Sequence, residues 1–304
     1  MDELGRHDRK DPRLIKDRDF TIKPRDLKVL EFVARFRYAR KDFICRYVGG
    51  SEYTLTQRIK VLTRNGYLYR PDAQWHHRNC MYNYVWYIIT PKGRKEIDKQ
   101  RVVTQIDGHS NFMHDAFGVC NSLASLYLGA LENGYTPITW EDVLDRLQCP
   151  PARPFDLPAV IHGKSTYARP DGYIGLLKGT VASHFFLEVE RGNGVERKTM
   201  QLSSFAKKLA AYKYISDHKT YKDKLGLPNM RVLIVTTSEE RMRSMMKLTE
   251  ETIGPSKVFL FAWVPGLGWE IKKPEKYPDL FNIEWQRAGY EPCKLTDGIV
   301  KLDN

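Results

Sequence analysis

The sequence predicts an α/β protein, α+β overall, built from two domains, and three observations predict it. At 304 residues the chain exceeds what one hydrophobic core ordinarily supports. Its first hundred residues read as short helices followed by a hairpin, whereas from about residue 170 apolar strand-like runs alternate with helical patterns. Its net charge of +12 is unevenly placed, because residues 1–100 hold 23 Lys and Arg against 13 Asp and Glu, nearly the whole excess. Such asymmetry points to a nucleic-acid-binding module in the first third.

Composition narrows the class further. No apolar run approaches the roughly 20 residues a membrane span requires, so no membrane partner is expected. The N-terminus is charged and lacks an apolar core, so no secretory signal is expected and the chain is placed in the cytoplasm as a bacterial-type protein. Cys45, Cys80, Cys120, Cys149 and Cys293 are scattered singly with no C-x-x-C pair, which argues against a zinc knuckle or a disulfide framework.

Residues 1–20 mix both charges with few apolar groups and read as a flexible basic arm. Pro24 then opens a helix whose apolar residues Leu27, Leu30, Phe32, Val33 and Phe36 recur at helical spacing to about Tyr38. A second short helix, Lys41 to Val48, stops at Gly49-Gly50, where the chain turns freely. Ser51 caps a third helix that buries Leu55, Ile59 and Leu62. It leaves Tyr53, Gln57, Lys60 and Arg64 opposite them, with Thr54, Thr56 and Arg58 on the flanks. That face suits base edges and phosphates. Asn65-Gly66 ends the helix, and Tyr67 to Arg70 with Met81 to Thr90 read as two strands around a polar tip. The tip carries His76, His77 and Arg78, suited to a minor groove or to phosphates, and Thr90-Pro91-Lys92-Gly93-Arg94 opens a further basic helix. This order resembles the winged helix-turn-helix, in which the third helix enters the major groove, and places a DNA-binding domain at residues 21–105. A winged helix used for protein contacts is the alternative.

The second domain is expected over residues 109–275, with 276–304 as a C-terminal tail. Phe112, Ala116, Val119, Leu123, Leu126 and Leu128 describe a long helix from Asn111 to Leu131, and Trp140 reads as part of a short strand. Residues 148–168 hold four prolines without clear periodicity and read as a loop. Arg169 to Leu177 and Ser183 to Glu190 read as one hairpin, turning near Lys178-Gly179. Because side chains alternate along a strand, Glu188 and Glu190 share a face, roughly 7 Å apart, and Asp171 from the neighbouring strand completes an acidic cluster. Such oxygen donors suit Mg²⁺ or Mn²⁺ beside a phosphate. The helix over about Val195 to Ser216 brings Lys207 and Lys208, one of which would stabilise developing charge, and a salt bridge among these same groups is the plain alternative. Arg231 to Thr236 and Val258 to Trp263 read as buried strands on either side of the helix Glu239 to Glu251.

Pro170-Asp171-Gly172 on one strand, Glu188-Val189-Glu190-Arg191-Gly192 on the next, and Ala211-Tyr212-Lys213-Tyr214 closing a lysine-rich helix resemble the replication-relaxation family of plasmid proteins. The resemblance spans roughly residues 20–240. It implies a winged helix joined to a PD-(D/E)xK nuclease-like α/β domain, and it overlaps the mobilisation-protein-C class of relaxases. By this resemblance Asp171 and Glu188 match the motif's two acids, while Glu190 stands where the common nuclease pattern has lysine. His114-Asp115 matches a pair that family members carry on the first helix of the domain. The implied task is relaxing or nicking double-stranded DNA at a plasmid origin, with other relaxosome or replication proteins, or a second copy of the chain, as further partners. The competing reading is a DNA-binding accessory or replication- and transcription-control protein whose nuclease-like domain is degenerate, which the absent motif lysine favours. Tyrosine-dependent nicking is rejected, since His76 and His77 are adjacent rather than alternating, and Tyr212, Tyr214 and Tyr221 read as packing residues.

Overall fold

A computed structural model describes residues 20–71, 85–97, 113–147, 153–191, 204–265, 267 and 277–297. The chain divides into two compact units, with the boundary between Asp107 and Gly108. Among the described residues no helix is long and apolar enough to cross a membrane.

The first unit opens with α1 (Pro24–Phe36), where proline occupies a position whose N–H would go unused and Asp26 accepts from the Lys23 N–H at 2.7 Å. One face of α1 buries Val29, Leu30, Phe32, Val33 and Phe36. A two-residue strand, β1 (Ala39–Arg40), leads into α2 (Lys41–Val48), which ends at Gly49 with a positive φ. In α3 (Glu52–Arg64) the Ser51 hydroxyl accepts from the Thr54 N–H, satisfying one of the free donors of the first turn. Leu55, Ile59 and Leu62 face inward from it. β2 (Leu68–Tyr69) and β3 (Trp86–Ile89) pair antiparallel, and β3 also takes β1 on its other edge, giving the order β1-β3-β2. β1 is too short to leave an alternation in the sequence. The last helix of the unit, α4 (Pro91–Ile97), is pinned by Thr90, whose hydroxyl donates to the Gly66 and Tyr67 carbonyls and accepts from the Gly93 N–H.

The second unit is a mixed seven-stranded sheet in the order β12-β11-β10-β9-β8-β7-β4, which makes the protein α/β. Its elements in chain order are α5 (Met113–Glu132), β4 (Thr136–Ile138), α6 (Trp140–Arg146), the separate hairpin β5 (Leu157–Ile161) and β6 (Lys164–Ala168), β7 (Gly172–Lys178), β8 (Val181–Glu190), α7 (Ser204–His218), α8 (Thr220–Leu225), β9 (Arg231–Thr236), α9 (Glu239–Ile253), β10 (Phe259–Trp263), β11 (Trp285–Arg287) and β12 (Tyr290–Cys293). β8, β9 and β10 run parallel, whereas β7 is antiparallel to β8, with Gly172 opposite Leu187 and Lys178 opposite Val181. α7 and α9 pack on the face lined by Phe186, Val232, Ile234, Phe259 and Phe261. α5 lies on the opposite face, where Leu123 crosses Gly172 and Gly118 sits against Val189.

Three expectations are corrected. Trp140 opens α6 rather than closing a strand, because Thr139 and Asp142 form a reciprocal cap at that point. Within the segment read as a loop, residues 157–168 form a hairpin whose turn, His162-Gly163, has positive φ at both residues, the geometry that matches strand twist. The tail assigned to 276–304 is instead sheet and core over 277–297: β11 adds to the edge of β10, and Leu280, Trp285 and Leu295 are fully buried.

Candidate functional site

Strand alternation places Ala182, His184, Phe186, Glu188 and Glu190 of β8 on the face that α7 covers. The first three meet apolar or ring partners, and the last two reach the carboxyl end of the strand, beside Ile234 and Thr236 of β9. Parallel strands commonly open onto a functional crevice at this end. Glu190 is held there by its own backbone, since its carbonyl accepts from the Thr236 hydroxyl at 2.7 Å. Asp171, immediately before β7, accepts from the Val189 N–H at 2.8 Å, so the two strands bring all three acids to one corner.

Lys208 of α7 closes the cluster. Its ammonium donates to Glu188 Oε2 at 2.6 Å and to Glu190 Oε1 at 2.7 Å. One turn further along the same helix face, the Tyr212 hydroxyl donates to Glu188 Oε1 at 2.5 Å. Both oxygens of a carboxylate that is only 2% exposed are thereby satisfied. Burial pushes the Glu188 carboxyl up to about 7, Lys208 pulls it down, and Asp171 adds to the rise. Burial opposes the charge on Lys208, but Glu188, Glu190 and Asp171 outweigh it and hold the lysine above its ordinary value. Burial, followed by the Glu188 charge, raises Tyr212 well above the ordinary phenol. It is therefore a hydrogen-bond donor, not a phenolate nucleophile. Among the described residues no three His, Cys, Asp or Glu side chains are grouped as metal ligands.

The structure thus separates the two lysines named from sequence. Lys208 faces the acids, whereas Lys207, one position earlier and so about 100° round the helix, is exposed and does not join them. Tyr212 belongs to the cluster although its spacing suggested packing. The available signal was its position four residues after Lys208 on one helix face. Tyr221 is buried and Tyr214 stacks on His218, so neither is presented as a nucleophile. The side chains of His114 and Asp115 lie outside the described residues.

In the first unit, α3 exposes Tyr53, Thr54, Gln57, Lys60 and Arg64, with Thr56 half-buried. Tyr53 is 76% exposed, a large ring held in solvent at the start of the helix. Arg58 departs from the expectation of a nucleic-acid contact. Its guanidinium donates to Asp26 Oδ1 and Oδ2 at 2.7 and 2.5 Å and to the Thr21 carbonyl at 2.7 Å, and it covers the Phe20 ring. Asp26 is 1% exposed, so Arg58 is the counter-charge of a buried carboxylate. His76, His77 and Arg78 lie outside the described residues, as do residues 1–19 of the basic arm.

No family model, no curated protein and no solved structure matches this chain.

Proposed function

We propose that the protein binds duplex DNA through a winged helix-turn-helix in its first unit, with α3 as the recognition helix. In its second unit, read as a PD-(D/E)xK-like domain, it carries a metal-dependent site that nicks DNA at a plasmid origin. The carrying observation is the convergence of Asp171, Glu188, Glu190 and Lys208 at the carboxyl end of β8. A lysine absent from the strand position at 190 is supplied from α7 instead.

Two carboxylate oxygens already converge on one cationic atom, and an all-oxygen donor set suits a hard divalent ion. Although the three carboxylates are not grouped as ligands in this structure, Asp171, Glu188 and Glu190 are the side chains that would hold Mg²⁺ or Mn²⁺, which would supply a hydroxide nucleophile near neutral pH. Lys208 would neutralise charge on the phosphoryl oxygens, a role that needs a cation fixed in advance. Tyr212 fixes the carboxylate plane of Glu188 through Oε1, leaving Oε2 toward Lys208. Tyr53, Gln57, Lys60 and Arg64 supply base and phosphate contacts.

A second reading has one observation behind it. Lys208 neutralises both glutamates as they stand, a closed ionic network that would hold α7 on the sheet of a non-catalytic scaffold. Plasmid nicking separates the two. Supercoiled DNA carrying the origin is incubated with wild type, Asp171→Ala and Glu188→Gln, in Mg²⁺, in Mn²⁺ and in EDTA. The nickase reading expects metal-dependent open circles from wild type and a loss of about 100-fold or more in each variant. Wild type that binds the plasmid and cuts under no condition establishes the scaffold.

A further inference from the structure

The hairpin β5–β6 has two unlike faces. Leu157, Ala159 and Ala168 pack into the core, while Val160 and Tyr167 are turned out, 39% and 54% exposed. Pro158 lies directly opposite Tyr167 in the register and cannot donate from its nitrogen, so the outward surface is a small apolar shelf around one ring. The Arg169 guanidinium stands 5.6 Å from the centre of that ring, its side chain 57% exposed. Arg153 is 76% exposed, and the acid beside it, Asp156, is only 10% exposed and bonded to Arg169 at 2.6 Å. α8 is tied to the hairpin by the Thr220 hydroxyl, which donates to the Pro158 carbonyl at 3.2 Å, and by Lys224, which donates to the carbonyls of Arg153 and Asp156. Lys219 and Lys222 at α8 are exposed, with the exposed acids Asp217 and Asp223 near them in the chain, and Lys164 shares the other side of the hairpin with its register partner Ile161.

We infer that this hairpin is a docking platform for single-stranded DNA, on which an unpaired base stacks against Tyr167 and the exposed Arg153, Arg169, Lys219 and Lys222 hold the phosphates. Charge complementarity selects a polyanion, and the exposed ring selects one with open base faces. A duplex hides those faces inside its stack. The platform is also placed for use, because the chain leaves β6 through Arg169-Pro170 and reaches Asp171 four residues after Tyr167, a span of at most roughly 13 Å. A strand lying on the ring is thereby led toward the carboxylate cluster. The inference rests on the DNA-acting reading for where the strand leads, but its readout is binding, so a chain that never cuts DNA leaves it standing.

Fluorescence anisotropy with a labelled mixed-sequence oligonucleotide of about a dozen nucleotides, single-stranded and as its duplex, tests it on the full chain without metal. Wild type is compared with Tyr167→Ala, Tyr167→Phe and Arg153→Ala. Tyr167→Ala is expected to weaken the single strand about tenfold while leaving the duplex within about twofold, and Tyr167→Phe to bind as wild type. Arg153→Ala is expected to lower the salt dependence of single-strand binding. The inference is overturned if natively folded Tyr167→Ala binds the single strand as wild type does, if it weakens single strand and duplex alike, or if polyglutamate displaces the strand as well as unlabelled DNA does.

Discussion

Arg58 and Arg64 sit on one helix less than two turns apart, yet their surroundings give them different work. Arg64 is exposed, whereas Arg58 balances a carboxylate that has almost no access to water. Removing one partner from such a pair is costly, because it strands the other charge in a low-dielectric site. His184 shows the same control by burial with a pH consequence. It is 2% exposed, its Nδ1 lies 2.5 Å from the Tyr173 hydroxyl, and its backbone N–H donates to Asn229. Burial, helped by the positive charge of Arg146, pushes its pKa down to about 4 from an ordinary 6.5. The folded chain therefore binds fewer protons here than the unfolded chain does between those values. Its contribution is fully present above about pH 6.5 and is lost progressively as pH falls toward 4. Chemical denaturation at about pH 7.5 and about pH 5 is expected to show a loss of about 2 kcal/mol from this group. His184→Asn, which cannot titrate, should remove that share of the difference. A variant that keeps the full pH dependence would mean that the imidazole is not the titrating group.

At the scale of elements, α4 depends on a close approach that a single methyl group would break. A Cβ placed on Gly93 would lie 2.3 Å from the Tyr67 carbonyl oxygen and 2.9 Å from the Ile89 side chain. A backbone oxygen cannot swing aside, and the same carbonyl already accepts from the Thr90 hydroxyl and N–H. Gly93→Ala is expected to destabilise the first unit by about 2 kcal/mol, read as a fall of roughly 10 °C in its thermal transition. An unchanged transition would show that α4 shifts freely. The ease with which elements could be read from sequence follows the same local logic. α3 was legible because Ser51 marks its start and Leu55, Ile59 and Leu62 its buried face. The shared face of Glu188 and Glu190 was legible because alternation on a strand leaves no other choice. The choice of Lys208 over Lys207 was not, since it depends on how α7 is rotated against the sheet. The hairpin β5–β6 was obscured by nearby prolines, although Leu157 and Ala159 alternate and His162-Gly163 makes the turn. β11 and β12 were hidden for another reason. Strands of three and four residues hold too few positions for a period to show, and their place is set by an edge of β10 that the local sequence does not encode.

At the scale of the second unit, the segment after residue 276 ties both layers together. α5 meets it over two turns. The Ser122 hydroxyl lies 2.9 Å from the Tyr277 hydroxyl, the Ser125 hydroxyl donates to the Pro278 carbonyl, and the same oxygen accepts from the Leu280 N–H. Gly129 leaves room for Phe281, whose Cβ stands where a side chain at 129 would begin. Trp285 is fully buried and donates its indole N–H to the Leu280 carbonyl, while its strand closes the edge of β10. Tyr277, Leu280, Phe281, Trp285 and Leu295 are all buried, and at roughly 2 kcal/mol for each large apolar side chain their loss rivals the whole stability of a domain. Ending the chain at residue 276 is therefore expected to abolish the cooperative unfolding transition of the second unit and to expose surface that binds a hydrophobic dye. The proposed duplex binding should persist, because α3, β2 and β3 belong to the first unit and the removed residues to the second. A dispensable tail would leave both transitions and dye binding as in the full chain, and scanning calorimetry of the truncated and full chains decides between them.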